Sequence, residues 1–222
     1  MKLALLASGT GSTAEILFKY ACVVLTNNPQ AGVIEKAKNA GIPVEVVEKG
    51  SMKLEQFGER IMEVLEKYEF DFISQNGWEM ITPSNVCAKF GGRITNNHPA
   101  PLDPGYPDFG GKGMKGLAVH QAVLNFASKV ERKFNSEICI HLVTEELDKG
   151  LLLAYKPVEI LEGDRALELQ NRVKEVEKKL ISDFWKGVEE AGILVTIERE
   201  ERLIREEELG ILEEAKLSAL SL

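Results

Sequence analysis

Residues 94 to 114, ITNNHPAPLDPGYPDFGGKGM, bring together two adjacent asparagines, a histidine, four prolines and four glycines. Asn96 and His98 are two apart, so on an extended segment their side chains leave the same face and can converge on one atom, while Asn97 faces elsewhere. An amide donor beside an imidazole suits an oxygen that becomes negative in a tetrahedral intermediate. Asp148 could complete the set: it lies in EELDKG, a turn after an apolar run that could neighbour the segment carrying Asn96. There a carboxylate could raise the imidazole pKa or help a proton leave an attacking amine. Asparagines also cap turns, a lone histidine is commonly a satisfied, partly buried one, and Glu145, Glu146 and Asp148 make an ordinary solvated turn. Residue types alone leave both alternatives open. His120 and His141 sit on a helical and a strand-like run and read as structural. No grouping of His, Cys and carboxylates has the spacing of a metal site.

A second candidate is SGTGST, residues 8 to 13, between an apolar run and a helical one. At such a turn backbone N–H groups can hold an anion, and small residues let a phosphate approach closely. The dinucleotide fingerprint fails because Gly9 and Gly11 are followed by Ala14, and the P-loop fails for want of Gly-Lys-Ser/Thr. What remains is a generic phosphate turn with Gly11, Ser12 and Thr13 as donors, or a plain strand-to-helix turn.

The elements that must position these groups alternate along the chain. KLALLA, ACVVLTN (21–27), IPVEVV, FDFIS (70–74) and RITN (93–96) have strand character; AEILFKY, 31–40 closed by Gly41, 52–68 and a brief helix opened by Pro83 lie between them. Such alternation predicts an α/β fold, a mostly parallel sheet with helices on both faces. Ligands then bind outside the carboxyl ends of the strands, where Asn96 and His98 fall. AEILFKY has room for about two α-helical turns, short for a crossover. Beyond the proline-rich stretch, 116–127 predicts a helix, 137–144 and 151–158 strands, and 167–190 one long helix. The last thirty residues, ILVTIEREERLIREEELGILEEAKLSALSL, predict a short strand followed by an amphipathic helical tail interrupted at Gly210. In the proline-rich stretch any hinge is expected at Gly110, Gly111 and Gly113.

Composition narrows the class. The chain of 222 residues is 44% apolar and 28% charged, as soluble globular proteins are, and its net charge of −8 argues against a broad nucleic-acid surface. The amino-terminal apolar stretch runs only from Leu3 to Ala7 before a glycine turn, so a first strand is expected, with no secretory or membrane segment. Cys22, Cys87 and Cys139 are far apart with mostly apolar neighbours, which fits buried thiols in a reducing cytoplasm.

Taken in order, LASGTGS, VVLTNNPQAGVIEKAKNAGIPV, the NHP run, YPDFGGKGMKGLAVHQAVL and IHLVTEELDKGLLLAYKPV resemble the folate-dependent phosphoribosylglycinamide formyltransferases (GAR transformylases) over about residues 1–185. The resemblance implies the formyltransferase fold: one domain, 1–198, made of a Rossmann-like phosphoribosyl-binding half (1–97) and a folate-pocket half (98–198). Residues 199–222 would follow as a helical acidic tail that could serve homodimerisation or a partner. It also implies transfer of a formyl group from 10-formyltetrahydrofolate to glycinamide ribonucleotide, with small-molecule substrates and no metal. Carried onto this chain, the family's catalytic residues fall on Asn96 and His98, for the oxyanion, and Asp148, for tuning His98 and proton transfer. The phosphate turn falls on Gly11, Ser12 and Thr13, with threonine where the family usually has asparagine. RVKEVE places Lys174 near the ribose and Glu177 near the amine; by pattern alone it is a charged helix surface. NGWEMITP matches the folate-pocket wall, with main-chain groups around Glu79 and Ile81 on the pterin, Glu79 where arginine is usual, and Trp78 either wall or core.

Two alternatives remain at this stage. The Asn-x-His…Asp arrangement also occurs in sugar-nucleotide and initiator-tRNA formyltransferases and in formyl-folate hydrolases; acidic charge and the lack of a basic carboxyl-terminal domain count against tRNA. The other is a non-catalytic nucleotide-binding module whose tail mediates association.

Overall fold

In the computed structural model, which describes residues 1–221, the apolar runs of the first hundred residues become strands. These are β1 (Leu3–Leu6), β2 (Ala21–Thr26), β3 (Val44–Val46), β4 (Phe72–Gln75) and β5 (Ile94–His98). They pair in parallel in the order β3-β2-β1-β4-β5. All four residues of β1 are buried, as a central strand covered on both faces requires. Helix α1 (Val33–Asn39) is followed by Gly41 at φ +72°, and α3 (Ser84–Phe90) is opened by Pro83. Helix α2 (Leu54–Leu65) buries Phe57, Ile61, Val64 and Leu65, one stripe at helical spacing. That stripe packs with Val86 and Phe90 of α3 on Ala4, Leu6, Val23, Ile73 and Ile94. Each fully buried side chain of this size contributes roughly 1.5–3 kcal/mol. Phe72, in register with Leu3, points to the opposite face and meets the Trp185 ring at 5.8 Å between centroids.

The remaining elements are α4 (Gly116–Ala127), β6 (Ser136–Leu142), β7 (Leu152–Val158), α5 (Ala166–Ala191) and α6 (Leu209–Ala219). β6 and β7 are antiparallel. The seven strands described are thus mostly parallel, and the fold is α/β and Rossmann-like. The chain forms two compact units. One comprises Met1–Asn97, Leu142–Glu145 and Trp185–Leu194; the other comprises His98–His141, Glu146–Phe184 and Val195–Leu222. The core of the second unit is built on Phe109, Phe126 and Phe134, whose ring centroids lie 4.8–5.8 Å apart, with Val119, Val123, Ile138, Leu169 and Val173 around them. Among the described residues no helix is long and apolar enough to cross a membrane.

Several expectations are corrected. The short connection after β1 is a 3₁₀ helix, Ala14–Tyr20, not an α-helix. Its rise of about 2.0 Å per residue, against about 1.5 Å in an α-helix, lets seven residues run back along the sheet where two α-turns fall short. In place of the short strand expected at the start of the last thirty residues, a single bridge joins Ile197 to Leu152. Gly210 interrupts nothing, because it lies inside α6 and the non-helical stretch precedes Glu206. Within 199–221, Ile204, Leu212, Ala215 and Ala219 lie in the core of the second unit, and Arg132 holds both carboxylate oxygens of Glu208 at 2.7 Å.

Candidate active site

β5 extends two residues further than RITN, so both Asn97 and His98 continue the strand. Beyond it, Pro101 to Gly111 fold back, and the Phe109 carbonyl meets His98 Nε2 at 3.0 Å. A carbonyl can only accept, so Nε2 carries the proton and Nδ1 is the ring nitrogen left for chemistry. Nδ1 faces Asp148 Oδ2 at 3.7 Å, and His141 Nε2 faces Asp148 Oδ1 at the same distance. Both separations exceed a direct hydrogen bond. Two buried imidazoles therefore flank one buried carboxylate with space for a shared oxygen or proton to be exchanged.

The carboxylate is held deliberately. Asp148 has φ +58°, the one left-handed non-glycine residue among those described. Aspartate tolerates this region better than most residues, and such strain concentrates at functional positions. Gly111 N–H donates to Asp148 Oδ2 at 2.9 Å. Gly110 lies so close that a Cβ there would be 2.8 Å from Asp148 Cβ, and only glycine fits. Of the glycines expected as a hinge, Gly110 and Gly111 are where the loop touches the carboxylate, while Gly113 faces Leu220. Asp108 fixes the same loop, accepting Asp103 N–H at 3.0 Å, Gly110 N–H at 2.9 Å and Lys149 Nζ at 3.2 Å.

The other predicted residues are distributed between the units. Asn96 belongs to the first, level with Gln75 of β4, which is itself level with Leu6 of β1. It therefore lies at the carboxyl edge of the parallel strands, the same edge from which SGTGST leaves β1. Gly11 adopts φ +73°, and a Cβ there would lie 2.8 Å from Val33 Cα, so the turn requires glycine. Its carbonyl accepts Glu15 N–H at 2.9 Å. Thr13 opens the 3₁₀ helix without a side-chain cap bond, and Ser12 is exposed. Trp78 is buried in the first unit's core, its ring parallel to that of Phe57 within 3°. Glu79 is exposed, but its N–H donates to Ser8 Oγ at 2.9 Å, and that hydroxyl donates to Asn27 Oδ1 at 2.6 Å. Ile81 is half exposed. Asn97 turns into the first unit, where its Nδ2 donates to Asn76 Oδ1 at 3.0 Å.

Lys174 and Glu177 lie one turn apart on α5 in the second unit, with Lys174 Nζ exposed and 3.2 Å from Gln170 Oε1. In the same unit His120 is buried, and that burial, with the charges of His98 and Lys174 adding to it, pushes its pKa down to about 4. His120 Nδ1 has no hydrogen-bond partner among the described residues. Among those residues no group of three or more His, Cys, Asp or Glu could hold a metal ion.

Sequence reasoning read His141 as structural and did not point to its place beside Asp148, nor to Phe109 or Ser8. A histidine inside an otherwise apolar strand, seven residues before Asp148, was the available signal for the first. The Phe109 carbonyl is a backbone group, to which no residue-type pattern points.

Residues 1–185 match the Formyl transferase family. Over 160 residues the chain is 36% identical to phosphoribosylglycinamide formyltransferase, chloroplastic, from Arabidopsis thaliana, covering 71% of this chain and 52% of that protein. Against phosphoribosylglycinamide formyltransferase from Bacillus subtilis it is 30% identical over 188 residues, 80% of this chain and 89% of the relative. The chain thus spans about half the length of the plant relatives it matches, 52% and 58%, and most of the bacterial one. Among solved structures, phosphoribosylglycinamide formyltransferase from Brucella melitensis superposes with a TM-score of 0.71 at 29% identity, over 88% of this chain and 98% of its own. The protein of that name from Streptococcus pneumoniae TIGR4 gives 0.71 at 26%, over 84% and 98%.

Proposed function

The chain belongs to the formyl transferase family, and on that premise we propose that it transfers the formyl group of 10-formyltetrahydrofolate to the amine of glycinamide ribonucleotide, a step of purine biosynthesis. One observation carries the reading: His98 and Asp148 face each other across 3.7 Å in a buried setting, with His98 Nδ1 as the available ring nitrogen.

In the proposed reaction the amine nitrogen attacks the formyl carbon, and a C–N bond forms as the carbonyl oxygen takes up negative charge. The Asn96 amide stabilises that oxygen, and His98 does so through Nδ1 once that nitrogen has taken up a proton. The Asp148 carboxylate stabilises the positive imidazole and receives the proton lost by the attacking amine, through an intervening oxygen if one occupies the gap. Collapse re-forms the carbonyl and breaks the bond to N10 of the folate, which takes a proton. The net change moves formyl one way and one proton the other.

Gly11, Ser12 and Thr13 are proposed to bind the phosphate, and Lys174 and Glu177 the ribose and amine. For the folate, the main chain around Glu79 and Ile81 is proposed to meet the pterin beside Trp78. Because Glu79 N–H is already taken by Ser8, the contact there falls to carbonyls and to the Ile81 peptide. The three free thiols suit a reducing cytoplasm.

The test is a formyl-transfer assay on the purified protein with 10-formyltetrahydrofolate and a panel of acceptors. Formylated glycinamide ribonucleotide is the expected product. Formylation of a sugar-nucleotide amine instead, or release of formate with no acceptor, would replace this reading with a sister activity. Phosphoribosyl binding without folate binding or transfer would leave a nucleotide-binding module.

A further inference from the structure

The family match ends at residue 185, yet the last helix reaches the loop that holds the candidate site. Lys216, on α6, donates from Nζ to the Asp108 carbonyl at 2.9 Å and to the Gly110 carbonyl at 2.7 Å. Those carbonyls bracket Phe109, whose own carbonyl accepts from His98, and the following N–H, of Gly111, donates to Asp148. Four consecutive loop residues thus have one ammonium behind them and the histidine and aspartate in front. Burial lowers the Lys216 pKa, with the Asp108 charge opposing it.

The rest of the segment points to the same loop. Leu203 N–H donates to Asp103 Oδ2 at 2.9 Å, Arg199 Nε donates to the Leu102 carbonyl at 2.7 Å, and Arg202 lies over the Tyr106 ring at 4.5 Å. Leu220 occupies the space that a Cβ on Gly113 would need. Asn125 of α4 donates to the Ala215 carbonyl at 3.3 Å, which ties α6 to the core.

We infer that Lys216 is a positioning residue for formyl transfer: by fixing the carbonyls on either side of Phe109, it sets the ring orientation and tautomer of His98 and the placement of Asp148. This rests on the proposed activity for its kinetic consequence but not for its structural one. An ammonium offers three donors in a compact head, so two carbonyls two residues apart can be held at once. With the lysine gone, the Asp108 and Gly110 carbonyls lose their donor, the Phe109 peptide is held only by the Gly110 N–H on Asp108 and the Phe109 N–H on Pro101, and its carbonyl fixes the His98 proton on Nε2 less tightly.

The experiment compares Lys216→Met, Lys216→Gln, Lys216→Arg and, as a core control, Leu212→Ala. For Lys216→Met and Lys216→Gln, kcat should fall roughly 10- to 100-fold with KM within about threefold, the response to a misplaced catalytic group. Lys216→Arg, which can also serve two carbonyls, should recover most of it. Leu212→Ala should lower Tm while leaving kcat near that of the unaltered protein, which a merely structural role for Lys216 would also predict for the lysine variants. Independently of activity, ring ¹⁵N spectra should show His98 as the Nε2–H form in the unaltered protein and a mixture of tautomers in Lys216→Met, with faster exchange of the Gly111 amide. If Lys216→Met does not fold, Lys216→Gln and the protection of the Lys216 ammonium protons in the unaltered protein decide. Unchanged kcat and an unchanged His98 tautomer in a folded lysine variant, or unprotected ammonium protons, would overturn the inference. Absence of formyl transfer by the unaltered protein with every acceptor would refute the proposed activity, and the spectra would still judge the brace.

Discussion

The glycine turn of the first unit and the His98–Asp148 cluster of the second are both built around glycines, but they are held in opposite ways. At the turn, Gly11 takes Glu15 N–H from four residues on, and a single residue of the next helix, Val33, donates to the Gly9 carbonyl and fills the space beside Gly11. At the cluster, a single carboxylate is placed by groups from residues 98, 110, 111 and 141, and the loop behind them is held from residue 216. A backbone turn can be made by its own residues and one packed helix, and presents N–H groups. A buried charged side chain must be surrounded, because an unpartnered one is costly, and surrounding it takes remote segments.

The sharpest way to separate the two regions is Asp148→Asn. Asparagine also tolerates the left-handed backbone and can still accept the Gly111 N–H, so Tm should change little. Activity should fall about 10³-fold or more, the range of lost acid–base assistance. A fully active variant would sink the assigned mechanism.

Acid sensitivity should come next and should reside in the second unit, which contains all three histidines. His120 titrates near 4 when folded against an ordinary 6.5, so the unfolded chain binds the extra proton between those values and stability falls as pH drops through them. The shift corresponds to roughly 3 kcal/mol. Urea melts from pH 7 to pH 4 should show the loss, and His120→Leu should flatten it; an equal slope in the variant would place the sensitivity elsewhere.

The same glycine-to-alanine change should then read differently in the two places. Gly11→Ala puts a Cβ against Val33 in a left-handed residue and should cost about 2 kcal/mol of stability. Gly110→Ala displaces Asp148, so its kcat should drop further than its Tm suggests. Equal kcat-to-stability ratios for the two variants would erase the distinction. The smallest effect is expected from Thr13→Asn: the longer donor should lower KM for the phosphoribosyl acceptor by about two- to threefold, under 1 kcal/mol, with kcat unchanged.

Much of the fold was legible because it follows from local pattern. The helix expected over 116–127 spans those residues, Gly41 follows α1, and Pro83 opens α3. Buried strands such as β1 announce themselves as apolar runs. The 3₁₀ winding of Ala14–Tyr20 was not legible, because α and 3₁₀ share short-range sequence preferences and the length of the neighbouring strands decides between them. Nor was the docking of 199–221: the apolar residues Ile204, Leu212, Ala215 and Ala219 give a stripe, but a stripe does not name what it packs against.

The sequence by itself determined the α/β alternation, the glycine turn after β1, and the placing of Asn96 and His98 two apart in one strand, because local pattern and spacing fix such features. Only the tertiary structure decided that His98 offers Nδ1 rather than Nε2, that His141 faces Asp148 beside it, and that a lysine 68 residues beyond Asp148 stands behind their loop. Those choices depend on backbone carbonyls and on contacts between distant segments, which no local spacing encodes.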